Sequence, residues 1–352
     1  MCVLMRTVFW DDAACQVKMI DQRALPARLV VVAYNTPDEV AKAIRNMTVR
    51  GAPAIGASTA FGMALAGLRS HAGDLSAWRD DMRLAASLLK ASRPTAVNLA
   101  WAVDRVMRIV NKDEELESLR AQVLVEAKKI ADEDVAVNKR MAEWGSTLIN
   151  DGDTIIHHCN TGALATVDWG TALGAIRTAH QQGKRIFVLV DETRPRLQGA
   201  RLTAWELQQY GIPFAIISDG AAGHFLRTGQ AQKVFFGADR VAANGDVANK
   251  IGTYMLALAA SSNGVPVYAV APSSSIDLNV PDGDQIPIEE RAAEEVLNIQ
   301  VGGERVTPEG ADARNPAFDI TPNNCLTAIV TEYGIVYPPF SENLPRVLHS
   351  DF

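Results

Sequence analysis

From Thr154 onward, short apolar runs alternate with stretches of helical periodicity, and nothing else in the chain restricts the fold as much. The runs fall at residues 154–159, 185–190, 214–217, 233–236 and 266–270, with helices expected at 168–182, 203–210, 221–228 and 249–262. Strands separated by helices pair in parallel through right-handed crossovers, so residues 131–352 are expected to form a Rossmann-like, doubly wound α/β domain. No G-x-G-x-x-G follows any of the five runs, which removes the pyrophosphate cradle of a dinucleotide enzyme. No cofactor is expected.

Residues 1–130 read differently. Runs at 8–10, 17–20 and 29–33 suggest a short antiparallel sheet, and helices dominate thereafter. Thr36-Pro37-Asp38-Glu39 supplies an N-cap, a proline at the first turn and acids behind it. That helix should stop near Thr48. A helix of small residues is expected after Arg50-Gly51-Ala52-Pro53, running to about Arg69, with others at 76–91 and 95–110. A long charged one at 114–148 links the domains. Arg50 and Arg93 both stand at helix boundaries, where a guanidinium beside free backbone N–H groups makes an anion site. The last stretch is read as a helix at 289–298, a glycine-rich turn and a helix–strand pair ending near Tyr337, without catalytic groups.

A chain of 352 residues is long enough for two such domains. Its net charge of -7 opposes a nucleic-acid surface, and no apolar run has bilayer length, so neither nucleic acid nor membrane is an expected partner. The N-terminal residues lack the hallmarks of a secretory signal, which implies a cytoplasmic protein. Cys2, Cys15, Cys159 and Cys325 show no C-x-x-C spacing, so free thiols are expected and no metal site.

In open α/β sheets the ligand crevice lies outside the carboxyl ends of the strands. The five runs lead respectively into Cys159-Asn160-Thr161-Gly162, Asp191-Glu192-Thr193-Arg194-Pro195, Ser218-Asp219-Gly220, Gly237-Ala238-Asp239-Arg240 and Ala271-Pro272-Ser273. Taken singly, a cysteine here is an ordinary buried thiol and an aspartate an ordinary turn residue. A thiol, acids and hydroxyls at every exit of one sheet argue for a site. Cys159 and Asp239 are the candidate acid–base pair, because an apolar crevice pushes the pKa values of a thiol and a carboxyl apart. Gln198 is placed to bind a hydroxyl, and Asn249 and Lys250 are expected to open a helix that offers an ammonium beside N–H groups. His157 and His158 alternate across a strand, so only one can face the crevice, and neither is assigned to a metal.

Five blocks carry a family resemblance. They are Arg50-Gly51-Ala52-Pro53-Ala54-Ile55-Gly56, Ser92-Arg93-Pro94-Thr95-Ala96-Val97-Asn98-Leu99, His158-Cys159-Asn160-Thr161-Gly162, Asp191-Glu192-Thr193-Arg194-Pro195, and Gly237-Ala238-Asp239-Arg240 through Asn249-Lys250-Ile251-Gly252-Thr253. In this order they resemble the methylthioribose-1-phosphate isomerase family, whose wider group includes initiation factor 2B regulatory subunits and ribose-1,5-bisphosphate isomerase. The resemblance implies an aldose–ketose isomerase of methionine salvage. Asp239 would be the proton donor, and Cys159 the transition-state-stabilising or proton-shuttling partner. Arg50, Gly51, Ala52, Arg93, Gln198, Asn249 and Lys250 would contact a sugar phosphate, with the arginines supplied by the N-terminal domain. It implies a homodimer too. The alternatives are a non-catalytic regulatory subunit that senses sugar phosphates or nucleotides, or an isomerase of 5-deoxyribose 1-phosphate or ribose 1,5-bisphosphate. Departures from the family pattern are an extension before Met5, read as a start-codon choice, and Cys325, placed in the last helix.

Overall fold

A computed structural model describes residues 6–94 and 96–349, so Cys2, the segment before Met5 and Thr95 lie outside the described residues. The chain forms two compact units. One comprises the residues through Lys139 together with Thr161–Gly170, and the other comprises Arg140–Asn160 and the residues from Thr171 on.

In the first unit, β1 (Val8–Asp11), β2 (Gln16–Ile20) and β3 (Val31–Tyr34) form the expected antiparallel sheet in chain order. Helix α1 (Pro37–Arg45) starts with a capping box: Thr36 Oγ1 accepts the Glu39 N–H, and the Glu39 carboxylate accepts the Thr36 N–H, each at 3.2 Å. Helix α2 (Ala52–Arg69) is buried on nearly all sides, which explains its alanines and glycines. A Cβ on Gly62 would lie 3.1 Å from Val40 and 3.2 Å from Leu89, so a larger residue would wedge the neighbouring helices apart. Helices α3 (Leu75–Ser92) and α4 (Val97–Val110) pack beside it, followed by α5 (Leu116–Ser146), which the unit division interrupts at Lys139. Trp10, Phe61, Trp78, Met82 and Leu89 fill the core, and each such side chain contributes roughly 1.5–3 kcal/mol by leaving water.

The excursion Thr161–Gly170 is tied to this unit. Thr7 Oγ1 donates to the Ala163 carbonyl at 2.7 Å, Gln22 Nε2 to the Leu164 carbonyl at 2.6 Å, and the Val167 N–H to Asp134 Oδ2 at 2.7 Å. Gly51 has φ of 96°, and a Cβ there would sit 2.1 Å from the Ala165 carbonyl oxygen. Only glycine fits.

The second unit contains β4 (Thr154–His157), α6 (Ala172–Gln181), β5 (Phe187–Asp191), α7 (Ala204–Tyr210), β6 (Phe214–Ile217), α8 (Ala222–Arg227) and β7 (Lys233–Gly237). It continues with β8 (Arg240–Ala242), β9 (Val247–Lys250), α9 (Thr253–Ser262), β10 (Val267–Val270), β11 (Ile276–Asp277), α10 (Glu294–Leu297), β12 (Gln300–Val301) and β13 (Glu304–Arg305). It closes with β14 (Phe318–Thr321), β15 (Ala328–Thr331), β16 (Gly334–Val336) and α11 (Phe340–His349). The main sheet has the order β16-β15-β10-β7-β4-β5-β6, parallel throughout except for the edge strand β16. This is the doubly wound α/β architecture expected from the alternating runs. Phe236, Val234, Ile156 and Leu189 lie in its core.

Three local expectations are corrected. Asn249 and Lys250 end strand β9 and do not open a helix; β8, β9, β11 and β14 form a second four-stranded sheet, and α9 begins only at Thr253. The cause is a tight turn at Gly245, φ 89°, where the Gly245 N–H donates to the Ala242 carbonyl and Val247 is returned alongside Val241. Of the helix read at 289–298 only α10 forms, and α11 follows the last strand. Cys325 lies in a 3-10 turn, Asn323–Cys325. No described helix is long and apolar enough to cross a membrane.

Candidate active site

Cys159 stands two residues beyond the end of β4, 8% exposed, with φ of 65°. A left-handed backbone costs a residue with a Cβ about 1–2 kcal/mol. Hydrogen bonds hold it there. The Cys159 N–H donates to Thr193 Oγ1 at 2.9 Å, and Thr203 Oγ1 donates to the Cys159 carbonyl at 2.7 Å. Thr203 Oγ1 in turn accepts from Asn160 Nδ2 at 3.1 Å, and the same Nδ2 donates to Glu206 Oε1 at 2.8 Å. Glu206 is fully buried, and Tyr210 donates to its second oxygen at 3.1 Å. Thr203 closes a short π-helix, Gly199–Thr203, the kind of helical irregularity that often marks functional positions.

The loop after β5 is equally constrained. Thr193 and Leu197 have φ of 63° and 57°, and the Asp219 carboxylate accepts the Thr193 and Arg194 N–H groups at 2.7 and 2.8 Å. A Cβ on Gly199 would meet the Asp191 carbonyl oxygen at 1.7 Å, which forces this loop against the strand end. Gln198 is buried, and its Oε1 is among the described buried polar atoms that have no hydrogen-bond partner, as suits a ligand contact.

His158 is wholly buried. Its Nδ1 lies 2.8 Å from Asp191 Oδ2 and its Nε2 lies 2.9 Å from the Ile251 carbonyl. Burial disfavours its cation, but Asp191, Asp219 and the Ile251 carbonyl together raise the imidazole above its ordinary pKa. His157 differs. Burial pushes it down to about 4, so the ring is neutral and donates from Nδ1 to the Phe235 carbonyl at 2.8 Å. Neither histidine faces an open crevice. His158, Asp191 and Asp219 gather enough donor atoms for a metal, yet both ring nitrogens and both Asp219 oxygens are engaged in the hydrogen bonds just described.

Asp239 follows β7, and its N–H donates to the Ala248 carbonyl at 2.9 Å, which places its backbone beside β9. Its side chain is exposed. Asn249 and Lys250 are buried, contrary to a surface lysine. Asn249 Nδ2 donates to Thr253 Oγ1 at 3.0 Å; Lys250 Nζ donates to the Ala317 carbonyl at 2.6 Å and lies 4.4 Å from the centre of the Phe318 ring. Cys159, Gln198, Asp239, Asn249 and Lys250 thus all belong to the second unit.

In the first unit, α2 starts without a side-chain cap, directly after Arg50, and α4 likewise lacks one, three residues beyond Arg93. A Cβ on Gly56 would stand 3.2 Å from the Asn98 carbonyl, so the two uncapped helix starts lie alongside one another. Such a pair favours an anion. Thr193, Thr203, Glu206, Asp191 and Asp219 were not singled out as a backbone cradle from sequence. Asp191, Thr193 and Asp219 stand at the strand exits visible in the sequence, whereas nothing in the sequence marks Thr203 and Glu206.

The sequence model of the initiation factor 2 subunit family matches residues 48–338. Over 344 residues the chain is 52% identical to the methylthioribose-1-phosphate isomerase of Synechococcus sp., covering 97% of this chain and 98% of that protein. This chain belongs to the methylthioribose-1-phosphate isomerase group of that family. A member from Acetivibrio thermocellus is 49% identical over 94% of this chain and 96% of its own. Among solved structures, 5-methylthioribose 1-phosphate isomerase from Pyrococcus horikoshii OT3 superposes with a TM-score of 0.93 at 46% identity, covering 99% and 97% of the two chains. A protein described as translation initiation factor eIF-2B, subunit delta, from A. fulgidus gives 0.89 at 42% identity, covering 98% and 99%. Two descriptions therefore attach to one fold, and the fold alone does not choose between them.

Proposed function

We propose that this chain isomerises 5-methylthioribose 1-phosphate to 5-methylthioribulose 1-phosphate, with Asp239 as proton donor and Cys159 as proton shuttle or transition-state stabiliser. The observation that carries the reading is a thiol held in a costly left-handed backbone at a strand exit, in a chain about half identical, over nearly its full length, to enzymes of that name. Strain of this kind persists where the surroundings enforce it, and here the enforcing groups are Thr193, Thr203 and Asn160.

In this reading the phosphate on the anomeric oxygen prevents the usual opening to a free aldehyde. Asp239 gives a proton to the ring oxygen as the C1–O bond breaks. Hydrogen then moves from C2 to C1 while the C2 hydroxyl loses its proton, either through an enol with Cys159 as base or as a hydride. Arg50 and Arg93, with the N–H groups at Gly51 and Ala52, bind the phosphate; Gln198, Asn249 and Lys250 bind the sugar hydroxyls. A cytoplasmic homodimer completes the reading, with analytical ultracentrifugation as its check.

The A. fulgidus likeness favours a second reading, a regulatory subunit that binds a sugar phosphate without turning it over. One experiment separates them. Purified protein is incubated with 5-methylthioribose 1-phosphate, 5-deoxyribose 1-phosphate or ribose 1,5-bisphosphate and followed by NMR. Turnover of the first is expected, and binding of all three without turnover would defeat the isomerase reading. Solvent deuterium at C1 of the product marks the proton route, and its absence marks hydride transfer.

A further inference from the structure

His158 is the first residue past β4, and Cys159 follows it directly. Its ring touches two other segments that carry proposed substrate contacts: Asp191 ends β5 and leads into the Gln198 loop, and Ile251 follows Asn249 and Lys250. The backbone at Gly252 is shaped to admit the ring: φ is 99°, and a Cβ would come within 2.9 Å of His158 Cε1. A carbonyl oxygen only accepts, so Nε2 carries a proton permanently. Nδ1 then faces a carboxylate whose other oxygen, Oδ1, is buried without a hydrogen-bond partner among the described atoms. A proton on Nδ1 answers that carboxylate with an opposite charge and gives one charge-assisted hydrogen bond in a dry setting.

We propose that His158 is a positioning residue for the isomerisation: an imidazolium locked to Asp191 that ties the exits of β4, β5 and β9 together and fixes positive charge behind Cys159. The inference rests on the isomerase reading. The titratable groups around the ring are the carboxyls of Asp191, Asp219 and Asp319, and His157, which stays neutral; all three carboxyls favour the cation. Burial raises the Asp191 carboxyl and opposes the cation, while His158 holds that carboxyl down and Asp191, Asp219 and the Ile251 carbonyl hold the imidazole up; the charge-assisted bond decides for the ion pair.

The test uses Asp191→Asn in the full chain. The asparagine amide donates to Nδ1 of a neutral His158, so the hydrogen bond survives and only the charge pair is lost. kcat should fall by roughly tenfold to a hundredfold, equivalent to about 1.4 to 2.8 kcal/mol in the barrier. KM and the melting temperature should hardly move. Without the carboxylate the imidazole loses its proton at lower pH, so the alkaline limb of the rate profile should shift to lower pH. In the wild type, 15N NMR of the histidine rings should show one ring doubly protonated at pH 7.5, its signal lost in His158→Gln. Three results would each overturn the proposal: a neutral ring in the wild type, wild-type kcat and pH profile in Asp191→Asn, or activity falling only in step with the melting temperature. Wild-type protein that turns over no sugar phosphate removes the underlying reading, and that failure appears before any variant is made.

Discussion

Thr203→Val removes one buried hydroxyl and keeps the shape of the side chain. In the native chain that hydroxyl donates to the Cys159 carbonyl at 2.7 Å and accepts from Asn160 Nδ2 at 3.1 Å. Asn160 retains its bond to Glu206, so the principal loss is the clamp on Cys159. A buried group deprived of its partner costs about 1–3 kcal/mol. The left-handed conformation at Cys159 costs about 1–2 kcal/mol. Because the two are comparable, losing the clamp removes about as much as the left-handed conformation costs and leaves the Thr193 bond to hold the thiol in place. Stability by urea denaturation should drop by about 1–3 kcal/mol. kcat should fall about tenfold for each 1.4 kcal/mol by which the working conformer is disfavoured. Thr203→Ser keeps the hydroxyl and should stay near wild type in kcat, measured by NMR of the sugar phosphate. A valine variant that loses stability yet keeps full kcat would refute the idea that this cradle positions the thiol.

Asp239→Asn should nearly abolish turnover while isothermal calorimetry still detects substrate binding, because the amide cannot give up a proton. Gly51→Ala should destabilise the first unit by more than about 1 kcal/mol, since φ of 96° and the Ala165 oxygen 2.1 Å from a new Cβ both oppose it; thermal melting checks this. Asp134 has its carboxyl pushed up to about 7, chiefly by burial and further by Asp168. Its protonated form is the one the fold favours, so its contribution is fully present below the unfolded value near 4 and is lost as pH rises through 7. Asp134→Asn, which still accepts the Val167 N–H, should therefore melt higher than wild type at pH 8 and match it near pH 4.

The elements legible in the sequence were those specified locally. Thr36 and Glu39 announce α1, and apolar runs of buried strand length announce β4, β5, β6, β7 and β10. What escaped depends on distant partners. Residues 249 and 250 look like the start of a helix until β8 and β14 are alongside, and strands as short as Ile276–Asp277 carry no periodicity to detect. Helix α11 was hidden by prolines at 338, 339 and 345. At the site, residue types pointed to Cys159, Gln198 and Asp239, but the carboxyls at neighbouring exits serve another purpose. Asp219 caps backbone N–H groups and Asp191 holds a histidine, which only the folded geometry reveals.

Because Thr161–Gly170 belongs with the first unit although its flanks belong with the second, neither unit is a continuous piece of chain. A fragment cut after Lys139 would lack Val167, leaving the Asp134 carboxylate without that donor, and would strip Thr7 and Gln22 of the carbonyls they bind. Attempts to express either half by truncation should yield unfolded or aggregated material. Swaps between relatives need three crossover points instead of one.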